Sequence, residues 1–296
     1  GVIAMASIPT YDLGALTADL YAELQADEED RPLENRALSA GYLPGSIVKP
    51  LMGLAALAAG EVDESEQITC EGAYRIGSLP IRCWYRPGHG PVDMRRAIEG
   101  SCNVYFIDIG LRTGLDRIRP ILAAAGFGEE PGIDLPYVKA YASGLLPSRP
   151  FARRRWNRSW LAVDTAFLSI GQGAINLSPL QAAMMAAALA NGGALLRPHL
   201  VAQVRNPDGV ITQSASPEIR RRFPVAEEAL RIVREGMYLV VNGENATASR
   251  AQTDTLPLAG KTGTAEVKTA GAETKNAWFI CFGPWESPRY ACAVLV

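Results

Sequence analysis

At 296 residues and 31.7 kDa the chain can form one large or two modest domains, folding an unfolded surface of about 46,000 Å² down to about 12,000 Å². With 48% hydrophobic residues, 20% charged residues and a net charge of -2, it is neither a disordered tail nor a basic nucleic-acid binder. No apolar run is long enough to span a bilayer. The chain opens at Gly1 without a basic-then-apolar leader, so it is expected to be a trimmed piece from which a signal or anchor has been cut.

In chain order, residues 2–8 form a short apolar run ended by Pro9, followed by a polar, acidic stretch to about residue 40. Pro44-Gly45 predicts a turn, Ser46 opens an Ala/Leu-rich helix, and Gly60 sits where that helix needs a C-terminal cap. Asp93 is the expected N-cap of a helix through Glu99. After a break at 100–103, a second helix is expected over 104–111. Ser178-Pro179 supplies a cap and first-turn proline for a helix ending at Asn191-Gly192-Gly193, and Pro224 is expected to start another that reaches Val241. The segments 261–267, 277–283 and 290–296 read as consecutive antiparallel strands, connected at Gly271 and through 284–288. Central helices followed by a terminal meander predict an α+β fold rather than a doubly wound sheet. Arg153, Arg154, Arg155 and Arg158, interleaved with Trp156 and Trp160, are expected to form a solvated loop with packed tryptophans; the alternative is a docking surface for an anionic glycan or partner.

Scarce residues narrow the chemistry. Only His89 and His199 could serve a Ser-His-Asp enzyme, and five lysines stand against 24 arginines. Ser46-Ile47-Val48-Lys49 puts a hydroxyl and an amine three residues apart at a helix start, a nucleophile beside a candidate base. Ser101-Cys102-Asn103 follows in the interhelical break, and Lys261-Thr262-Gly263-Thr264 opens the first terminal strand. For Lys49 to act as a base at pH 7 its pKa must fall by about 3, which burial and a second cation such as Lys261 could supply. Gly263 is expected to let another extended backbone, a peptide added as a strand, approach closely. Thr262 and Thr264 with Lys261 would then grip a terminal carboxylate, and the backbone N–H groups of Ser46 and Thr264 would form an oxyanion hole.

Five cysteines cannot all pair. Cys70, Cys83, His89 and Cys102 supply the ligand set of a closed tetrahedral zinc site, although their spacing fits no standard finger; a Cys70–Cys83 disulfide or plain packing are the alternatives. Cys281 and Cys292 fall in facing strands and are expected to be core thiols, and His199 to be structural.

Ser-x-x-Lys, Ser-x-Asn and Lys-Thr-Gly in this order are the residue set of serine β-lactamases and penicillin-binding proteins. With Tyr42 to Pro50, Gly132 to Pro136, Ile170 to Gly173, Ser178 to Gln181, Asn191 to Gly193 and Ala277 to Phe279, the chain resembles the transpeptidase domain of class B penicillin-binding proteins, and within them the elongation-type, penicillin-binding-protein-2 branch. The resemblance covers nearly everything after residue 40. It implies a single transpeptidase domain over 1–296, with an antiparallel sheet flanked by helices and an all-helical subdomain. An anchor and pedestal before residue 1 and a final helix after residue 296 would be missing. It implies that Ser46 attacks the penultimate D-Ala of a peptidoglycan stem peptide and is acylated by β-lactams. Ser101 would relay a proton to the leaving amine, and Asn103 would hold Lys49 and the substrate amide. A metal site near 70–102 also follows from the resemblance. So do a periplasmic location on the inner membrane and a RodA-type glycosyltransferase and MreC as partners. The rivals are a D,D-carboxypeptidase, a β-lactamase, for which no Glu-x-x-x-Asn segment lies between Asn103 and Lys261, and a non-catalytic β-lactam sensor.

Overall fold

The structure is a computed structural model describing residues 1–39, 41–135, 143–269 and 272–296. Pro136, the last residue of the Gly132 segment, and Gly271, the expected connection, lie outside the described residues. The first 31 residues include no buried side chain, and their acidic stretch contains an exposed helix α1 (Ala18–Ala26) capped by Thr17. This open N-terminal segment helps explain an accessible surface of 15714 Å², above the size expectation of about 12,000 Å².

The core is built around α2 (Lys49–Ala58), whose residues 49–56 are all buried. A helix so apolar on every side must be central. Two hairpin-like pairs follow: β1 (Ile68–Cys70) with β4 (Gly90–Val92), and β2 (Ala73–Ile76) with β3 (Leu79–Arg82). Then come α3 (Met94–Glu99), its N-terminus capped by the Asp93 carboxylate accepting Arg96 N–H at 2.9 Å, α4 (Asn103–Thr113) and α5 (Leu115–Ala124). Ser101, in the break between α3 and α4, has φ 52°, a left-handed conformation costly outside glycine.

The arginine-rich segment is a helix, α6 (Arg149–Trp156), rather than the expected loop. Ser148 caps it, and Trp156 stacks on Trp160 and under the Arg158 guanidinium. Helices α7 (Ala162–Ser169) and α8 (Pro179–Ala190) complete the middle; in α8, Ser178 and Gln181 cap each other reciprocally. Helices α2, α4, α5 and α7 pack together as the helical layer.

After two small pairs, β5 (Ala194–Leu196) with β8 (Ile219–Arg222) and β6 (Gln203–Arg205) with β7 (Ile211–Ser214), α9 (Glu227–Asn242) begins three residues beyond Pro224, with Ala226 as N-cap. The chain ends in β9 (Ala259–Thr269), β10 (Ala272–Gly283) and β11 (Tyr290–Leu295), an antiparallel sheet in the order β11-β10-β9. The expected meander and α+β class are both observed. α9 packs against β9, α2 and α3, while α8 packs against β10 and β11. Cys281 and Cys292 are direct cross-strand partners, but Cys281 is half-buried and Cys292 exposed. They are not core thiols, because β11 carries its alternate residues outward at the sheet edge.

Candidate active site

Gly45–Val48 is a tight 3-10 turn running directly into α2, so half-buried Ser46 stands one turn before Lys49. Three glycines let this turn be pressed between two other parts of the chain. Gly45 has φ 54° and donates its N–H to Gly171 O at 2.9 Å. A Cβ on Gly171 would overlap the Gly45 backbone, and one on Gly45 would lie 2.6 Å from Thr264 O. A Cβ on Gly263 would sit 2.9 Å from both Pro44 O and Ile47 Cγ2. The absent side chain of Gly263 therefore makes room for the chain's own Pro44–Ile47 turn, which carries Ser46, not for an incoming peptide as expected. The edge of β9 not used by β10 is still the place where a strand could add, since β9 is the last strand of the sheet.

Lys49 is fully enclosed. Its Nζ donates to Ser101 O at 2.7 Å, Ser101 Oγ at 3.2 Å and Asn103 Oδ1 at 2.7 Å, which brings the first two motifs together across 52 and 54 residues of chain. Asn103 is itself held by Nδ2 donating to Arg82 O at 3.1 Å. This orientation lets the amide oxygen face the amine. Burial lowers the Lys49 pKa to about 8, against the charge of Cys102, Cys83 and Cys70, which raises it. Lys261 is equally enclosed, donates to Thr262 O at 3.0 Å, and is held well below its ordinary pKa first by burial and then by repulsion from Lys49. The two amines thus lie in each other's field. The third motif meets the first two, with Thr262 half-buried and Thr264 exposed beyond Lys261.

Two further residues frame the site. Gly171, noted in the sequence as part of the Ile170–Gly173 match, anchors the nucleophile turn. Trp84, not singled out beforehand, is 56% exposed yet held by its indole N–H on Gly100 O at 2.9 Å, next to Ser101. A tryptophan directly after a candidate ligand, Cys83, is the signal the sequence offers. The hydrogen bond that ties it to the motif is a tertiary fact.

The predicted metal ligands converge. The ligand atoms of Cys70, Cys83, His89 and Cys102 all lie within 4.8 Å of one another, on β1, the 83–89 segment and the α4 N-cap. His89 Nδ1 is 3.5 Å from Cys70 Sγ and 3.6 Å from Cys83 Sγ. Those separations match the edge of about 3.5 Å expected for a tetrahedron with Zn–N about 2.0 Å and Zn–S about 2.3 Å. The Cys83 thiol is held well below its usual range by a hydrogen bond from Cys102, whose own pKa rises, and His89 is raised to about 9 by its bond to Cys83. Three cysteine sulfurs and an imidazole nitrogen at these separations form a donor set chemically suited to a divalent cation such as zinc. It also touches the second motif, because Cys83 Sγ accepts the Asn103 backbone N–H at 3.4 Å.

A family model of the penicillin binding protein transpeptidase domain matches residues 1–296. The chain is 31% identical over 312 residues to the peptidoglycan D,D-transpeptidase MrdA of Acinetobacter baumannii, covering 99% of this chain and 45% of that protein. It is 33% identical over 315 residues to the peptidoglycan D,D-transpeptidase PbpA of Mycolicibacterium smegmatis, covering 100% and 59%. It therefore spans about half the length of the curated relatives it matches. Among solved structures, Pseudomonas aeruginosa PBP2 in complex with WCK 5153 superposes with TM-score 0.86 at 36% identity, over 100% of this chain and 66% of that one. Helicobacter pylori PBP2 in complex with MreC gives 0.81 at 32%, over 95% and 50%. The penicillin G acyl-enzyme of Mycobacterium tuberculosis penicillin-binding protein A gives 0.81 at 30%, over 99% and 65%.

Proposed function

Because this chain belongs to the penicillin-binding protein transpeptidase family, we propose that it is the acyl-transfer domain of an elongation-type peptidoglycan D,D-transpeptidase with Ser46 as nucleophile. The observation that carries this reading is the enclosed Lys49 amine, bound to Ser101 and Asn103 and brought to a pKa of about 8. Unprotonated Lys49 takes the hydroxyl proton as Ser46 Oγ bonds to the penultimate D-Ala carbonyl carbon. Charge on the carbonyl oxygen is received by the backbone N–H groups of Ser46 and Thr264. The C–N bond breaks, Ser101 relays the proton to the departing D-Ala amine, and an acceptor amine then displaces Ser46 to form the crosslink. Thr262 and Thr264 hold the terminal carboxylate. Lys261, being enclosed, makes no direct grip on it. A β-lactam acylates the same serine.

The same reading has Cys70, Cys83, His89 and Cys102 hold a structural zinc, whose chemistry is to neutralise the thiolates and tie the 70–102 segments together. It assigns the domain to the periplasmic face of the inner membrane, beside a RodA-type glycosyltransferase and MreC. Support for MreC comes from the Helicobacter pylori PBP2 complex.

Intact-mass analysis after penicillin G treatment, with peptide mapping and a parallel metal assay, tests the reading. One adduct on the Ser46 peptide is expected, and Lys49→Ala should react about 10²- to 10⁴-fold more slowly. An adduct elsewhere, or equal rates, would sink it.

A further inference from the structure

Glu99 ends α3, and its side chain, 1% exposed, has no part in the chemistry above. One carboxylate oxygen accepts the Asn245 backbone N–H at 2.9 Å, and the other takes the Arg96 guanidinium at 2.7 Å. The backbone carbonyl of the same residue accepts the Thr247 hydroxyl at 3.0 Å. Thr247 Oγ1 in turn lies 3.5 Å from Thr262 Oγ1. The segment from Gly243 to Thr247 is packed so tightly here that a Cβ on Gly243 would collide with the Glu99 carboxylate. Thus one buried residue, two positions before Ser101, fixes the loop after α9 and through it reaches the third motif.

Proton bookkeeping gives this link a direction. Thr247 spends its single hydroxyl proton on Glu99 O, so only a lone pair is left to face Thr262. A β-branched threonine on a strand has few staggered orientations, and in the empty site that lone pair takes the Thr262 proton and selects one of them; a bound carboxylate takes that proton instead, and the Thr247 proton turns from Glu99 O to Thr262 Oγ1, so that both hydroxyl oxygens stay bonded. We propose that Thr247, set in place by Glu99, is a positioning residue that presents the Thr262 hydroxyl to the terminal carboxylate of the donor peptide. This rests on the functional reading above, in which Thr262 holds that carboxylate. Thr247 does not touch the reacting bond, and its effect falls on binding the carboxylate end.

The test compares two donor peptides ending in D-Ala-D-Ala, one with a free C-terminal carboxylate and one amidated there, following acylation of Ser46 by mass. Thr247→Val removes the hydroxyl at constant shape and is expected to raise KM for the carboxylate donor about tenfold, with kcat nearly unchanged and the amide donor unaffected. Thr247→Ser restores the parent KM. Glu99→Gln keeps an oxygen for the Asn245 N–H and is expected to fall between the parent and Thr247→Val. Equal loss on both donors would reduce Thr247 to a structural residue and overturn the proposal, as would a Thr247→Val variant indistinguishable from the parent. A parent inert to both donors and to penicillin overturns the functional reading and this inference together, whereas an active parent with an insensitive variant overturns this inference alone.

Discussion

Replacing Asn103 by Asp places a carboxylate where a neutral oxygen now sits 2.7 Å from Lys49 Nζ. An opposite charge at such range raises the pKa of a buried amine by about one to three, from the present value of about 8 to between about 9 and 11. Acylation needs the neutral amine, so its rate climbs with pH and levels off above that pKa. At pH 7 the neutral fraction is about one-tenth in the parent and falls to between about 10⁻² and 10⁻⁴ in Asn103→Asp. The variant should therefore acylate about 10- to 1000-fold more slowly at pH 7 and recover as the pH is raised. The substitution also removes the Nδ2 bond to Arg82 O, a loss of about 1 kcal/mol that carries no such pH dependence. The assay is quenched-flow acylation with penicillin read by mass from about pH 6 to about pH 11. A uniform loss with the midpoint still near 8 would refute Lys49 as the base.

Enclosing Lys49 has a thermodynamic cost that its removal should reveal. Its pKa falls from 10.5 to about 8 on folding, so the unfolded chain binds more protons between those values and stability rises with pH across that window; below it the full penalty of about 3 kcal/mol applies. Lys49→Met should therefore melt several degrees above the parent at pH 7 and show no acylation. An unchanged or lower melting temperature would contradict the burial argument. Stripping the proposed zinc with a chelator should slow Ser46 acylation about tenfold or more while the fold persists, because Cys102 lies between Ser101 and Asn103 and Cys83 holds the Asn103 N–H. Unchanged kinetics in a folded, metal-free sample would reject that coupling.

Local signals in the sequence carried far. Asp93 and Ser178 cap the helices they were expected to cap, and the three C-terminal segments pair in the expected order, because caps and period-two strands are decided within a few residues. Where the sequence misled, a tertiary contact decided. Gly263 was legible as a close-approach position, but not that the approaching backbone is Pro44 to Ile47, more than 200 residues upstream. The arginine run 153–155 looked like loop because charge dominates it, yet Ser148 caps it and buried Ala152 anchors it as a helix. Cys292 carries no mark of its strand being the sheet edge. Glu99 and Thr247 belong to no motif at all, since their importance lies only in what they touch.

The site's electrostatics show why motifs so far apart must be assembled rather than merely present. Lys49 is pulled toward neutrality by burial and away from it by Cys102, Cys83 and Cys70, while Lys261 bears the repulsion between the two amines. Neither serine motif carries that balance alone. A divalent cation on the quartet would offset two of the three thiolate charges, so the ligand cluster would bear on how much of the Lys49 base is neutral as well as on where Asn103 stands. One residue, Cys102, is N-cap of α4, ligand candidate and centre of the second motif. Its backbone lies between the two polar side chains that hold the Lys49 amine. On the proposed reading the ligand quartet and the acylation residues therefore form one electrostatic unit, built on the break between α3 and α4.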